Sequence, residues 1–197
     1  MKKLILLTIL LLPFTINAQS QSNRKSMNFI IKGGATISKI VGDDIKSDFT
    51  VGFQAGLLGR IPLKNSTIDV GVIYNQKGFS QNQGESSKLT MNYLTVPIHF
   101  IIPSNSESSN FFIGPEINFL LNNRVTVDDV SVTFSEGVSP IDVTFAGGIE
   151  LTITSNIQLD IGASYGFVKS FEVDNYPGTT TIGNNLSFST GLKFIIN

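Results

Sequence analysis

Large apolar side chains alternate one for one with polar or small ones along residues 141–153, IDVTFAGGIELTI. Ile141, Val143, Phe145, Ile149, Leu151 and Ile153 fall on one face of an extended chain. Asp142, Thr144, Ala146, Gly148, Glu150 and Thr152 fall on the other. A period of two marks a β-strand whose two faces meet different surroundings. The same period recurs through the chain and predicts strands near 29–41, 49–61, 67–78, 90–102, 111–121, 141–153, 156–168 and 186–196. No helical period, low-complexity tract or second domain interrupts them.

The connectors alternate in length. After the second, fourth and sixth strands they are LKNS, PSNSESSN and TSN. After the first, third, fifth and seventh they include GDDIKSD, FSQNQGESSK, NNRVTVDDVSVTFSEGVSP and KSFEVDNYPGTTTIGNN. Within the fifth, alternation resumes from Val125 to Phe134, which suggests a hairpin continuing beyond the strand. An even number of strands, each long enough to cross a bilayer at a tilt (about 9–11 residues), with short turns at one end and long loops at the other, is the plan of an outer-membrane barrel. Both termini would then lie in the periplasm and the long loops outside.

Composition agrees. The opening MKKLILLTILLLPFTINAQ has a basic start, an apolar run and a small residue at Ala18, so residues 1–18 are expected to be a secretory signal peptide. The remaining roughly 180 residues suit one domain, 19–197. Charged residues are 15 % of the chain, below the roughly 25 % usual in soluble domains. A net charge of −1 argues against nucleic acid as a partner, and the lack of cysteine removes disulfides and thiolate metal sites.

Two barrels share such a pattern. A soluble lipocalin-like barrel turns its large apolar row inward and a water-loving row outward. Here the small and polar row is rich in glycine (Gly52, Gly56, Gly71, Gly114, Gly148, Gly162, Gly166 and Gly191), which suits a narrow interior better than a wet face. The bulky row, with Val51-Phe53-Ala55-Leu57 and Leu94-Val96-Ile98-Phe100 among its members, is too large for that interior and too large an apolar patch for water. Lipid around a closed barrel removes the conflict. The expected fold is an all-β, eight-stranded antiparallel up-and-down transmembrane barrel.

The inward row contributes one ionisable residue near the short-turn end of every strand: Lys32, Arg60, Asp69, His99, Glu116, Glu150, Asp160 and Lys193. Arg60 and Asp69 sit symmetrically about LKNS and should be cross-strand neighbours, with Lys193 between Asp160 and Lys32 around the closure. Charges at membrane depth should face inward and pair. They are expected to be a structural ring that fills the lumen, at one depth or in two layers, rather than an ion path or catalytic site. Tyr93 and Tyr165 are expected to fill or flank the lumen, and Asn75, Lys77 and Asn118 to extend its polar lining upward.

His99 is the sole histidine. A Ser-His-Asp site would need a hydroxyl and an orienting carboxylate beside it, and Asp69 and Glu116 lie on the neighbouring strands. The pair Glu150 and Asp160 would suit acid–base work were Lys193 not next to them. The expectation is a non-enzymatic protein with no metal or cofactor. Asp43, Asp44, Asp48, Asp128, Asp129, Glu136, Glu172 and Asp174 form an acidic loop rim, read as solvated and, alternatively, as a divalent-cation ligand set.

Several stretches, IIKGGATIS, YLTVPIHFII, FFIGPEINFLL, FAGGIEL, IGASYGF and LSFSTGLKFII, resemble the outer-membrane β-barrel domain of PorT-like proteins from Bacteroidota over nearly the whole mature chain. The step from Tyr93 to Pro97 is the most specific of them. Thr95 stands where that family commonly has an acidic residue, and the chain ends Ile-Ile-Asn rather than in an aromatic. The resemblance implies an outer-membrane location and, as an alternative role, a part in protein secretion. The expected protein is a monomer wrapped in outer-membrane lipid, with a structural or interaction role through a protein partner at its extracellular loops. The same lumen would also fit a membrane-embedded enzyme or a narrow pore, two readings that the pairing of its charges disfavours.

Overall fold

The computed structural model describes residues 27–42, 47–83, 85–106, 108–127, 130–132, 138–168, 171–175 and 179–196. The expected signal peptide and residues 19–26 after it lie outside the described residues, as do Asp43, Asp44, Asp128, Asp129 and Glu136 of the loop rim. Ten strands follow in chain order: β1 (Asn28–Val41), β2 (Asp48–Pro62), β3 (Thr67–Gln83), β4 (Glu85–Pro103), β5 (Ser109–Val127), the short β6 (Val130–Val132), β7 (Ile141–Thr154), β8 (Ile157–Gly166), the short β9 (Phe171–Asn175) and β10 (Thr179–Ile196). All pairings are antiparallel, in the order β1-β2-β3-β4-β5-β7-β8-β10, and β10 returns to β1 from Phe29↔Ile196 to Val41↔Asn184. The sheet is a closed eight-stranded barrel. β6 pairs only with the end of β5, and β9 only with the start of β10.

The strands are strongly staggered. From Lys32, register partners climb through Gly56, Ile73, Thr95 and Asn118 to Asp142, at the start of β7. In the other direction they pass Lys193 and Gln158 to Thr152, near the end of that same strand. Closing a sheet into a barrel requires this tilt. Residues equally far from a strand end therefore do not share a height.

The faces fall as the alternation predicts. Val51 is 66 %, Phe53 51 % and Ile149 42 % exposed, while Glu150 and Asp69 are fully buried. Glycines make room on the inward row: a Cβ on Gly71 would stand 2.1 Å from the Leu57 carbonyl oxygen of the next strand. The interior is less purely small and ionic than expected. Ile30, Leu58 and Ile73 form one buried apolar cluster, and Ile101, Phe112 and Ala146 another. The Phe112 ring lies against Gly148 and Gly162, where Cβ atoms would meet it at 2.6 and 2.5 Å. Tyr165, expected to fill or flank the lumen, points outward and packs edge-on against Phe167.

Strands expected to end at 78, begin at 90 and end at 121 instead run on, with β3 and β4 pairing as far as Gln83↔Glu85. The polarity of their faces inverts there. Phe79, Leu89, Met91 and Tyr93 turn inward around Ile40 as a buried apolar cap, with Leu120, Val125 and Val138 packed on it. Outward stand Gln76, Asn92 and Asn122, joined by hydrogen bonds of 3.1 and 2.6 Å, with exposed Lys88 and Arg124 beyond. β5 also carries a bulge: Asn92 pairs with Asn122 but Tyr93 with Leu120, so Leu121 is extra and the alternation shifts by one residue. The hairpin suggested by Val125 to Phe134 forms as Val125↔Val132 and Val127↔Val130.

Candidate functional site

The lumen is where the chemically active side chains meet. Near the short-turn end, Arg60 grips Asp69 through Nε and Nη2, both donors at 2.7 Å, a two-pronged pair set up by direct register across the β2–β3 turn. Nη2 also reaches Glu150 at 2.9 Å, on the diametrically opposite strand β7, and Nη1 donates to Gln158 at 3.0 Å. Lys193 enters the same cluster from β10, donating to Asp69 Oδ2 at 3.1 Å and to Glu150 Oε1. Its ammonium lies 5.8 Å from the Phe112 ring centroid, a cation–π contact above the cluster. Four charges from four strands thus bridge the lumen from wall to wall.

The other four ring residues form two separate groups. Lys32 on β1 donates to Asp160 on β8 at 2.5 Å, passing over Gly191 of the intervening strand. His99 Nε2 meets Glu116 Oε1 at 3.1 Å, and the imidazole stacks on Phe112 with ring centroids 5.1 Å apart. Thr144 Oγ1 donates to the second oxygen of Glu116 at 3.0 Å. The eight residues therefore all turn inward but do not make one ring of neighbours at one depth, and Lys193 pairs across the lumen instead of with the residues beside it. The stagger of the strands causes this. No hydroxyl bonds His99 among the described residues.

A polar layer lies above. Asn118 Oδ1 accepts from Thr95 Oγ1 at 2.7 Å and Lys77 Nζ at 3.4 Å, while its Nδ2 donates to Thr144 Oγ1 at 3.2 Å and the Asp142 carbonyl at 3.3 Å. Asn75 accepts from Thr36 at 3.1 Å. Sequence reasoning places Asn75, Lys77 and Asn118 here but passes over Asp142 and Asn185, bonded to each other at 2.7 Å. Asp142 is an inward charge visible in the alternation, and its height alone keeps it out of the ring. Between the layers a cavity of about 20 Å³ is lined by Lys32, His99, Glu116 and Ser187, among others, room for about one water. A wider mouth of about 630 Å³ opens at the short-turn end beside Arg60, Leu63, Lys64 and Asn110.

A family model described as outer membrane protein beta-barrel domain matches residues 17–172. The chain belongs to that family. No curated protein matches this barrel. Among solved structures it is similar to Neisserial surface protein A, at 15 % identity and a TM-score of 0.53, over 86 % of this chain and 99 % of that one. It is also similar to Ail, the attachment invasion locus protein of Yersinia pestis, at 12 % identity and a TM-score of 0.52, over 87 % of this chain and 100 % of that one. A major outer membrane protein from Thermus thermophilus resembles it at 11 % identity and a TM-score of 0.52, over 87 % and 100 % of the two chains. At such identities the likeness is one of fold.

Membership places this small barrel in the outer membrane, and that location accounts for its surface. Phe29, Phe53, Phe100, Phe111, Phe145 and Phe188 are among the large apolar side chains left exposed along the staves. A water-soluble monomer would not carry so continuous an apolar surface. The closed ladder leaves no strand edge to satisfy within a bilayer.

Proposed function

We propose that the barrel is a sealed outer-membrane platform that presents its long-loop hairpins to a protein partner outside the cell. The observation that carries this reading is the Arg60–Asp69–Glu150–Lys193 cluster, which spans the lumen from opposite walls. The apolar cap around Met91 and Tyr93 adds a second closure at the other end. In this reading the ion pairs are a plug that fixes strand register, and the barrel is a monomer held by its own closure. The extended ends of β3, β4 and β5 stand above the lipid, with Gln76, Asn92, Asn122, Lys88 and Arg124 turned outward for contact in water.

Two measurements test it. Reconstituted in planar bilayers, the barrel should show no unit conductance, and stepwise currents would overturn the sealed lumen. A photo-crosslinker at Arg124, exposed on the outer face of β5 beside β6, should capture a protein partner in intact cells, and its failure to do so would overturn the platform role. A PorT-like part in secretion would use the opposite end, where the 630 Å³ mouth opens. Capture of an export component from Lys64 rather than from Arg124 would establish that reading instead.

A further inference from the structure

The outward wall of β3, β4 and β5 carries its side chains in three layers. Lowest stand Tyr74, Leu94 and Phe119, joined by direct register, with exposed Leu121 after them on β5. Next comes a ladder of amides, in which Gln76 donates to Asn92 at 3.1 Å and Asn92 to Asn122 at 2.6 Å. That direction leaves Asn122 Nδ2 without an acceptor among the described residues, two positions before Arg124 on the same face. Above the ladder Lys88 pairs in register with Thr126, and Thr90 with Arg124. Lys88 and Arg124 are therefore diagonal neighbours on one outward face, roughly 7–8 Å apart along the backbone lattice.

Both cations are exposed, and neither forms an ion pair among the described residues. Their cross-strand neighbours on this face are Ser80, Thr90 and Thr126, and no Asp or Glu stands in the stretches 76–80, 88–92 and 122–126. Two like charges are thus set side by side with nothing of opposite sign beside them. Lys39, the other outward cation at this end among the described residues, is placed differently, with its ammonium 4.9 Å from the Phe49 ring centroid. Arg124 comes three residues after Leu121. Three residues of tilted strand climb roughly 7–8 Å, about the depth of one polar head-group layer.

We propose that Lys88 and Arg124 hold the phosphate of an anionic lipid head group, with Asn122 as a third donor and the acyl chains lying on Phe119 and Leu121. A guanidinium offers a phosphate two parallel N–H donors, and an ammonium adds a compact charge. A free phosphate would meet only the upper row, whereas a lipid meets all three layers in their order. The site depends on the barrel's place in the membrane and not on a protein partner, so lipid retention and crosslinking can fail separately.

The test is native mass spectrometry of the barrel released from a neutral detergent containing dioleoyl phosphatidic acid or dioleoyl phosphatidylcholine. The native chain should retain phosphatidic acid and discriminate against phosphatidylcholine, whose phosphate carries its own choline cation. Lys88→Ala with Arg124→Ala should weaken that retention roughly thirtyfold, about fivefold for each cation beside an anionic lipid. Both side chains are exposed, so this variant is expected to fold. Lys39→Ala with Lys64→Ala removes the same charge elsewhere on the surface and should keep the lipid. Equal retention of the two lipids, equal loss in both double variants, or full retention without Lys88 and Arg124 would overturn the site. Displacement of the lipid by inorganic phosphate would also overturn it, by showing a site for free phosphate instead.

Discussion

Lys32 faces Lys193 directly across the β1–β10 seam, and Glu150 faces Asp160 across β7–β8. Each is a like-charged pair that taken alone repels. The structure resolves both by crossing the lumen: Lys193 leaves its neighbour for Asp69 and Glu150, and Lys32 reaches over β10 to Asp160. Removing one partner from a buried network leaves the others unpaired, at a cost of roughly 3–5 kcal/mol. Lys193→Ala and Arg60→Ala should therefore lower the temperature at which the barrel loses its compact gel mobility, whereas Lys64→Ala, on the exposed turn, should not. Equal midpoints for all three would show that the cluster does not hold the barrel. Gly71→Val should be worse still. Its side chain would start 2.1 Å from a backbone oxygen that cannot move without breaking the β2–β3 ladder, and no folded band is expected in refolding assays.

At the scale of the strand, the legible and the illegible parts of the sequence divide at the point where polarity inverts. Below it the outward row is apolar and the inward row small or polar, and IDVTFAGGIELTI or VGFQAGL gives the strand and its facing directly. Above it Phe79, Leu89, Met91 and Tyr93 point in while Gln76, Asn92 and Lys88 point out. The period is still two, but its meaning is reversed, so FSQNQGESSK reads as a loop when it continues the ladder of β3 and β4. The bulge at Leu121 adds a shift of one residue and hides the rest of β5. The eight inward charges near the short-turn end are legible for the same reason as the strands. Their grouping is not, because it depends on a stagger that no single strand records. Deleting Leu121 tests this directly. With the extra residue gone, plain alternation from Leu120 to Asn122 keeps Asn123 and Val125 opposite Met91 and Leu89 and turned to the cap, so the upper hairpins should stay as resistant to protease as in the native chain. Hairpins cut in the deletion variant would show that Leu121 does more than shift the alternation by one residue.

The whole molecule then has two parts of opposite polarity in one continuous sheet. The lower has the inverted polarity of a lipid-facing wall, apolar outside and ionic within. The upper, formed by the ends of β3, β4 and β5, has the ordinary polarity of a protein in water, with an apolar interior and amides and cations outside. The crossover should mark the level of the outer membrane surface, near Gln76, Asn92 and Asn122. Only the bilayer distinguishes the two halves, because the strands and their hydrogen bonds run through without a break. Single cysteines carrying spin labels can locate the surface in reconstituted bilayers. Labels at Val51, Phe53 and Leu121 should be relaxed by oxygen, which concentrates in hydrocarbon, and those at Lys88 and Arg124 by a water-soluble nickel chelate. A label at Lys88 relaxed chiefly by oxygen would place the hairpins inside the membrane. The polarity inversion would then need another cause, such as a partner protein covering the upper wall.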